Sequence, residues 1–159
     1  MRYYDYLQSP HGRMLLVASE DALTGAYFVG QKHQPRIEAH WKRDSRHAPL
    51  RKAKRELAEY FSGKRKRFSV PLAPGGTAFQ RAVWKAIAGV AFGRTIAYGE
   101  LARRAGRAGS ARAAGAATGR NPIGIIVPCH RIVGANGALT GYAGGLSKKR
   151  ALLSLEGAD

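Results

Sequence analysis

The chain has 159 residues, enough for one ordinary domain or two small lobes and too few for a large multidomain assembly. Its 45% apolar content is that of globular proteins, no apolar run approaches the roughly 20 residues that cross a bilayer, and Met1 to Tyr6 lacks the order of a secretory leader, so a cytoplasmic protein is expected. The 27 Lys and Arg against 10 Asp and Glu leave +17, with +8 in residues 1–75 and +9 in residues 76–159, so both halves call for an anionic partner, nucleic acid first. The single cysteine excludes an internal disulfide and a multi-cysteine zinc site.

The first thirty residues alternate as strands do, with Leu15, Val17, Tyr27 and Val29 separated by turn signals at Ser9 to Gly12 and Glu20 to Ala22. A small antiparallel sheet follows from that pattern. His33, His40 and His47 recur in a polar stretch that reads as solvated surface, not as a metal site. Leu50, Ala53, Leu57 and Phe61 fall at helical spacing, with Gly63 placed to end the helix, so one amphipathic helix covers the sheet. The sequence assigns no role to the basic run Lys64 to Arg67, for which a solvated face is the simplest reading. Pro71 to Gly76 is rich in proline and glycine and marks the boundary between residues 1–75, a sheet-and-helix domain, and residues 76–159.

The second part opens with a capping box, Thr77 and Gln80, followed by an apolar helical face of Phe79, Val83, Ile87 and Val90. Tyr98 to Ala105 and Ser110 to Thr118 predict two short helices joined by Gly106, Arg107, Ala108 and Gly109, the outline of a helix-turn-helix. Ser110 is the expected N-cap of the second, which is built largely of alanine around Arg112. Ile123 to Val127 reads as a buried strand or extended segment ending at Pro128. Asn136-Gly137, between Ile132-Val133 and Ala138-Leu139, predicts a hairpin, which would add a wing. A last helix is expected from the N-cap Ser147 to about Glu156, stopped at Gly157. The fold class is therefore α/β of the α+β kind, with an N-terminal antiparallel sheet and a mainly helical, winged helix-turn-helix second lobe.

Chemistry concentrates at Pro128-Cys129-His130-Arg131. A lone cysteine is commonly an inert core residue. This one has His130 beside it and Arg131 after it, and cationic neighbours lower a thiol pKa and raise the reactive thiolate fraction. Neighbours in an extended strand point to opposite faces, so the expected link between Cys129 and His130 runs through a water. Glu156, in the last turn of its helix, opposes the helix dipole and so calls for a partner elsewhere.

The segment NPIGIIVPCHRIVGANGALTGYAGGLSKKRALLSLE, from Asn121 to Glu156, closely resembles the active-site region of O⁶-alkylguanine-DNA alkyltransferases, whose signature is I-[PV]-C-H-R-[VI]. FQRAVWKAI, TIAYGELA, SPHGRMLLVAS and LTGAYF are similar to further segments of that family in the same order, so the resemblance spans nearly the whole chain. It implies that Cys129 accepts an alkyl group from O⁶ of guanine, once and irreversibly, with O⁴-alkylthymine as a second candidate substrate. His130 acts through a water as base, and Glu156 orients His130. Tyr98 donates to guanine N3, and Asn121 braces the active-site turn.

For DNA, the resemblance implies that Arg112 fills the gap left by a flipped nucleotide. Ser110, Ala111, Ala113 and Arg131 contact the duplex, and the alanine-rich helix lies in the minor groove. Tyr142, Ala143 and Gly144 belong to the loop over the flipped base, and Ala143 departs from relatives that carry a serine there. No metal or cofactor is implied. The partner is duplex DNA bound by a monomer, with cooperative assembly on the DNA left open. Two rivals remain at this point: a winged-helix DNA-binding or lesion-sensing module without chemistry, which Cys129 argues against, and a Cys-His hydrolase, for which the sequence offers no oxyanion hole.

Overall fold

A computed structural model describes residues 1–158, and they fall into two compact units. The first comprises Met1–Pro74 together with Pro122–Ile126, and the second Gly75–Asn121 and the chain from Val127 on. Division of the sequence at residue 75 alone does not separate the five residues Pro122–Ile126.

In the first unit, β1 (Tyr3–Ser9), β2 (Gly12–Ala18) and β3 (Leu23–Phe28) form an antiparallel meander, as expected. The Ser9 hydroxyl closes the first turn by donating to Gly12 O at 2.6 Å and accepting from His11 N–H at 3.1 Å. Val29 lies outside β3 and is exposed. A two-residue strand, β4 (Lys42–Arg43), adds to β1 in parallel, giving the order β3-β2-β1-β4. It has no apolar pattern, and its side chains are exposed, so periodicity could not reveal it.

The central strand β2 is buried from Met14 through Ala18, on both faces. α1 (Ala48–Phe61) packs against β1, β2 and β3 through the stripe Leu50, Ala53 and Leu57. On the other face Leu15, Val17 and Tyr27 form a small core with Tyr4, Tyr6, Ile37 and Trp41. α1 stops as predicted at Gly63 (φ 80°), with Gly63 N–H on Tyr60 O and Lys64 N–H on Glu59 O. His47 is not free surface: it stacks on Tyr3 and its Nε2 meets Ser19 O at 2.7 Å. The expected strand over Ile123–Val127 is only a bridge of Ile123 to Ala26, because Ile125 takes φ 69°, which breaks the extended run. The edge of β3 is thereby covered without a regular strand.

In the second unit the predicted capping box opens α2 (Ala78–Ala88). β5 (Ile96–Ala97) leads into α3 (Tyr98–Arg104), then α4 (Ala111–Gly119). The turn between these helices carries Gly106 and Gly109 both at φ 85°, a conformation that side chains with a Cβ resist, so the two glycines set the helix-turn-helix. Ser110 occupies the N-cap position of α4, but its side chain makes no cap hydrogen bond, since φ −105° and ψ 47° turn it away from the extended geometry capping needs. Trp84 of α2 donates through Nε1 to Ala117 O at 2.8 Å, and Ala114, Ala117 and Thr118 form the buried face of α4. Ala111, Arg112, Ala116 and Arg120 are left exposed.

The hairpin expectation is corrected. Asn136 (φ 61°) and Gly137 (φ 79°) do make the predicted turn, closed by Ala138 N–H to Ala135 O at 3.4 Å, but among the described residues no strand follows it. The preceding pair, β6 (Ile132–Val133), joins β5 in parallel, and across the turn Gly134 N–H donates to Ala138 O at 2.8 Å without a ladder continuing from it. The last helix, α5 (Leu146–Leu155), starts two residues before the predicted Ser147 boundary would allow, with Gly145 at the N-cap at φ 100°. It stops as expected at Gly157, with Gly157 N–H on Ser154 O and Ala158 N–H on Leu153 O.

Candidate active site

Every residue of the site lies in the second unit. Cys129–Arg131 form one 3₁₀ turn, not the extended segment expected, with Cys129 N–H on Val127 O at 2.8 Å and Arg131 N–H on Pro128 O at 2.9 Å. Three residues per turn send successive side chains in three directions instead of two. Cys129, His130 and Arg131 thus reach three different environments, and β6 fixes the exit of the turn against β5.

His130 is fully buried and its Nε2 meets Glu156 Oε2 at 2.7 Å. A carboxylate only accepts, so this contact assigns the proton to Nε2 and leaves the lone pair on Nδ1. Nδ1 is buried and has no hydrogen-bond partner among the described residues. Burial pulls the imidazole below its usual 6.5, against the opposing pull of Glu156, so the ring is a neutral base at neutral pH.

Glu156 has the partner its position called for. It is the C-cap residue of α5, and besides His130 it accepts from Arg131, Nε on Oε1 at 2.8 Å and Nη2 on Oε2 at 3.0 Å. Arg131 Nη1 donates in turn to Val90 O at 2.7 Å. The expected DNA contact by Arg131 is therefore corrected: the side chain is buried and all three donor nitrogens point inward.

Burial pushes the Cys129 thiol up, and the Asn121 side chain, hydrogen-bonded to it, and the charge of Lys149 act against that rise. The expectation that His130 and Arg131 activate the thiol is also corrected, because the first is neutral and the second is neutralised by Glu156. The cation that acts on the thiol is Lys149. It is fully buried on α5, with Nζ on Ile132 O at 2.6 Å, Thr140 O at 2.8 Å and Gly141 O at 3.2 Å, and burial lowers its pKa to about 8. Sequence reasoning missed it inside the run Lys148-Lys149-Arg150. The available signal was spacing: Lys149, Leu152, Leu153 and Glu156 lie at i, i+3, i+4 and i+7, and all four are buried.

Asn121 also donates through Nδ2 to Val127 O at 2.8 Å, closing the chain on both sides of Pro122–Ile126. Tyr98, the first residue of α3, is half-buried and hydrogen-bonded to the Thr140 side chain, and burial raises its pKa, keeping the phenol protonated as a donor. Tyr142, Ala143 and Gly144 are half-buried in a turn closed by Gly145 N–H on Tyr142 O at 2.9 Å. Arg112 is exposed near the start of α4, beside exposed Ala111, with Ser110 and Ala113 half-buried. No group of His, Cys, Asp and Glu among the described residues is placed to hold a metal ion, and no helix there is long and apolar enough to cross a membrane.

Comparison with known proteins matches residues 2–74 to the 6-O-methylguanine DNA methyltransferase ribonuclease-like domain and residues 78–158 to the DNA binding domain of the same family. The chain is 46% identical to a methylated-DNA–protein-cysteine methyltransferase of Methanosarcina acetivorans, over 98% of both chains. It is 44% identical to one of Mycobacterium tuberculosis, over 98% of this chain and 93% of that one. The crystal structure of Mycobacterium tuberculosis OGT in complex with DNA superposes with a TM-score of 0.90 at 43% identity, covering 98% of this chain and 93% of that one. With both halves matched in order by one family's domains, and relatives alike over nearly their full length, the chain belongs to the 6-O-methylguanine DNA methyltransferase family.

Proposed function

We propose that the protein repairs duplex DNA by transferring the alkyl group of O⁶-alkylguanine to Cys129, one group per molecule. The observation that carries this reading is a buried thiol held between Asn121 and Lys149 in the same turn as a neutral His130 backed by Glu156. The thiol proton passes through a water to His130 Nδ1. Sγ then attacks the alkyl carbon, a carbon–sulfur bond forms, and the carbon–O⁶ bond breaks with its electron pair leaving on guanine. Tyr98 donates to guanine N3 and supports that charge. The imidazolium is stabilised by Glu156, whose carboxylate also accepts from Arg131 through both oxygens. Nothing in this sequence removes the alkyl group from sulfur, so turnover stops at one.

The DNA partner rests on the DNA-binding domain match and the relative solved with DNA. The thin exposed face of α4 enters the minor groove, Arg112 occupies the gap left by the flipped base, and Tyr142–Gly144 close over that base. The protein works in the cytoplasm, associated with the nucleoid. Mass spectrometry after incubation with methylated duplex tests the whole reading: one methyl on Cys129 supports it, no adduct leaves a lesion sensor, and multiple turnover a hydrolase.

Two variants test individual roles. Glu156→Gln replaces the common acceptor of His130 and Arg131 with a group that both accepts and donates, and should slow alkylation by free O⁶-benzylguanine about tenfold or more. Because Glu156 raises the His130 pKa, its loss lowers that pKa further, and the acid limb of the rate profile moves to lower pH. An unchanged rate and profile would remove Glu156 from the relay. Arg112→Ala should slow transfer from methylated duplex at saturating protein about tenfold, because unstacking costs a few kcal/mol and the free base needs none. Equal losses on duplex and on free O⁶-benzylguanine would instead show damage to the pocket.

A further inference from the structure

The first unit contains 15 Lys and Arg against 7 Asp and Glu in residues 1–75, and its ion pairs use few of them. Asp5 takes Arg43 and Lys54, while Glu56 and Glu59 both take Arg65. Among the described residues no ion pair engages Arg51, Lys52 or Arg55 of α1. Helical geometry places these three on one side, opposite the buried stripe Leu50, Ala53 and Leu57, and Arg51 and Arg55 are exposed. Exposed Lys64 and Arg67 follow directly after the helix. Like charges at i and i+4 with no intervening acid weaken an isolated helix, so this stripe is not explained by the stability of α1.

We propose that this face of α1 is a second phosphate-binding surface, which grips the backbone of duplex DNA without reading sequence. Arg51 and Arg55 are separated by a rise of about 6 Å along the helix, and one DNA strand carries a charge about every 3.4 Å of its axis, so the pair spans roughly two phosphates. The other exposed residues of the face are Ala48, Ala58 and Ser62, none large and apolar. A protein partner would need an aromatic or aliphatic anchor, and a membrane surface an apolar face beside the basic one. A polar, cationic face with small residues between the charges suits phosphates, which position a duplex and carry no sequence information. This inference rests on the proposed function only in that duplex DNA is the working substrate.

The test compares two triple variants of equal net charge. Arg51→Gln with Lys52→Gln and Arg55→Gln removes the stripe. Arg2→Gln with Lys32→Gln and Arg36→Gln removes three other exposed cations of the same unit. The quantity read is the slope of log Kobs against log salt on an undamaged duplex, where each neutralised phosphate contributes about 0.9 through the counterions it releases. The α1 variant should lower the slope by about 2 to 3 and the control by less than one, with alkylation by free O⁶-benzylguanine unchanged in both as evidence of an intact fold. An α1 slope equal to the wild type, or equally lowered in both variants, overturns the proposal, the latter by assigning the effect to the long-range field. Wild-type binding to anionic lipid vesicles that the α1 variant loses, with its DNA slope unchanged, also overturns it and assigns the helix to a membrane. A flat wild-type slope is a different result, which removes the DNA reading of the whole protein.

Discussion

Cys129→Ser should abolish alkyl transfer and leave binding to duplex DNA within about tenfold of the wild type. The reacting species is an anion on sulfur, and a serine hydroxyl is far less acidic than a thiol. The site does not make up that difference, because burial already opposes charge at this position and only the Asn121 hydrogen bond and the Lys149 charge act in its favour. Oγ keeps the Asn121 donor and differs from Sγ mainly in size, so the fold persists. The phosphate contacts come from exposed cations, and Cys129 is only 8% exposed. The measurement pairs intact-protein mass after incubation with methylated duplex against fluorescence anisotropy on the same duplex. Retained transfer would remove Cys129 from the mechanism, and collapse of binding would mean that the thiol also supports the DNA-binding surface.

What the sequence made legible and what it hid divide along physical lines. Local rules succeeded where the deciding groups are close in the chain: the Thr77–Gln80 capping box, the stops at Gly63 and Gly157, and the glycine turn between α3 and α4. They failed where a distant partner decides. Asn136-Gly137 carries a hairpin turn, but β6 pairs with β5, some thirty-five residues earlier. Lys42 and Arg43 become a strand only because the backbone of β1 offers an edge. The same division runs through the site. Glu156 could be suspected of a partner from its place at the end of α5, whereas the direction of Arg131 depends on a 3₁₀ turn and on Val90 O, neither visible in Cys-His-Arg. Lys149 was hidden by its neighbours: a run such as Lys148-Lys149-Arg150 reads as solvated, and Arg150 is exposed and Lys148 half-buried, but the middle residue is fully buried.

Lys149→Met should slow alkylation of Cys129 by free O⁶-benzylguanine about a hundredfold while leaving the protein folded. Methionine keeps an unbranched apolar stem, one heavy atom shorter, and removes the charge and the donors. The Ile132, Thr140 and Gly141 carbonyls then lose their ammonium partner, and that of fully buried Ile132 cannot turn to water, at a cost of roughly 1–3 kcal/mol. Against this stands relief from burying a cation, an unfavourable burial that is visible in the fall of the Lys149 pKa to about 8. The two effects oppose each other, so the melting midpoint moves little. The rate has no such compensation. Lys149 is the cation that favours the Cys129 thiolate, and it also ties Thr140 and Gly141, next to the Tyr142–Gly144 turn, to α5. Removing one oriented donor from a reacting centre commonly costs 10²–10³ in rate, roughly the loss expected. The pH profile separates the two contributions. In the wild type the ammonium supports the thiolate below about 8 and loses its proton above, so the gain in rate with rising pH levels off there; the thiolate raises the Lys149 pKa and delays the change without reversing it. In Lys149→Met the rate starts lower and continues to climb with pH as the thiol ionises unaided. A slowed variant with the wild-type profile would make Lys149 a tether of the loop and nothing more, and an unchanged rate would take it out of the site altogether.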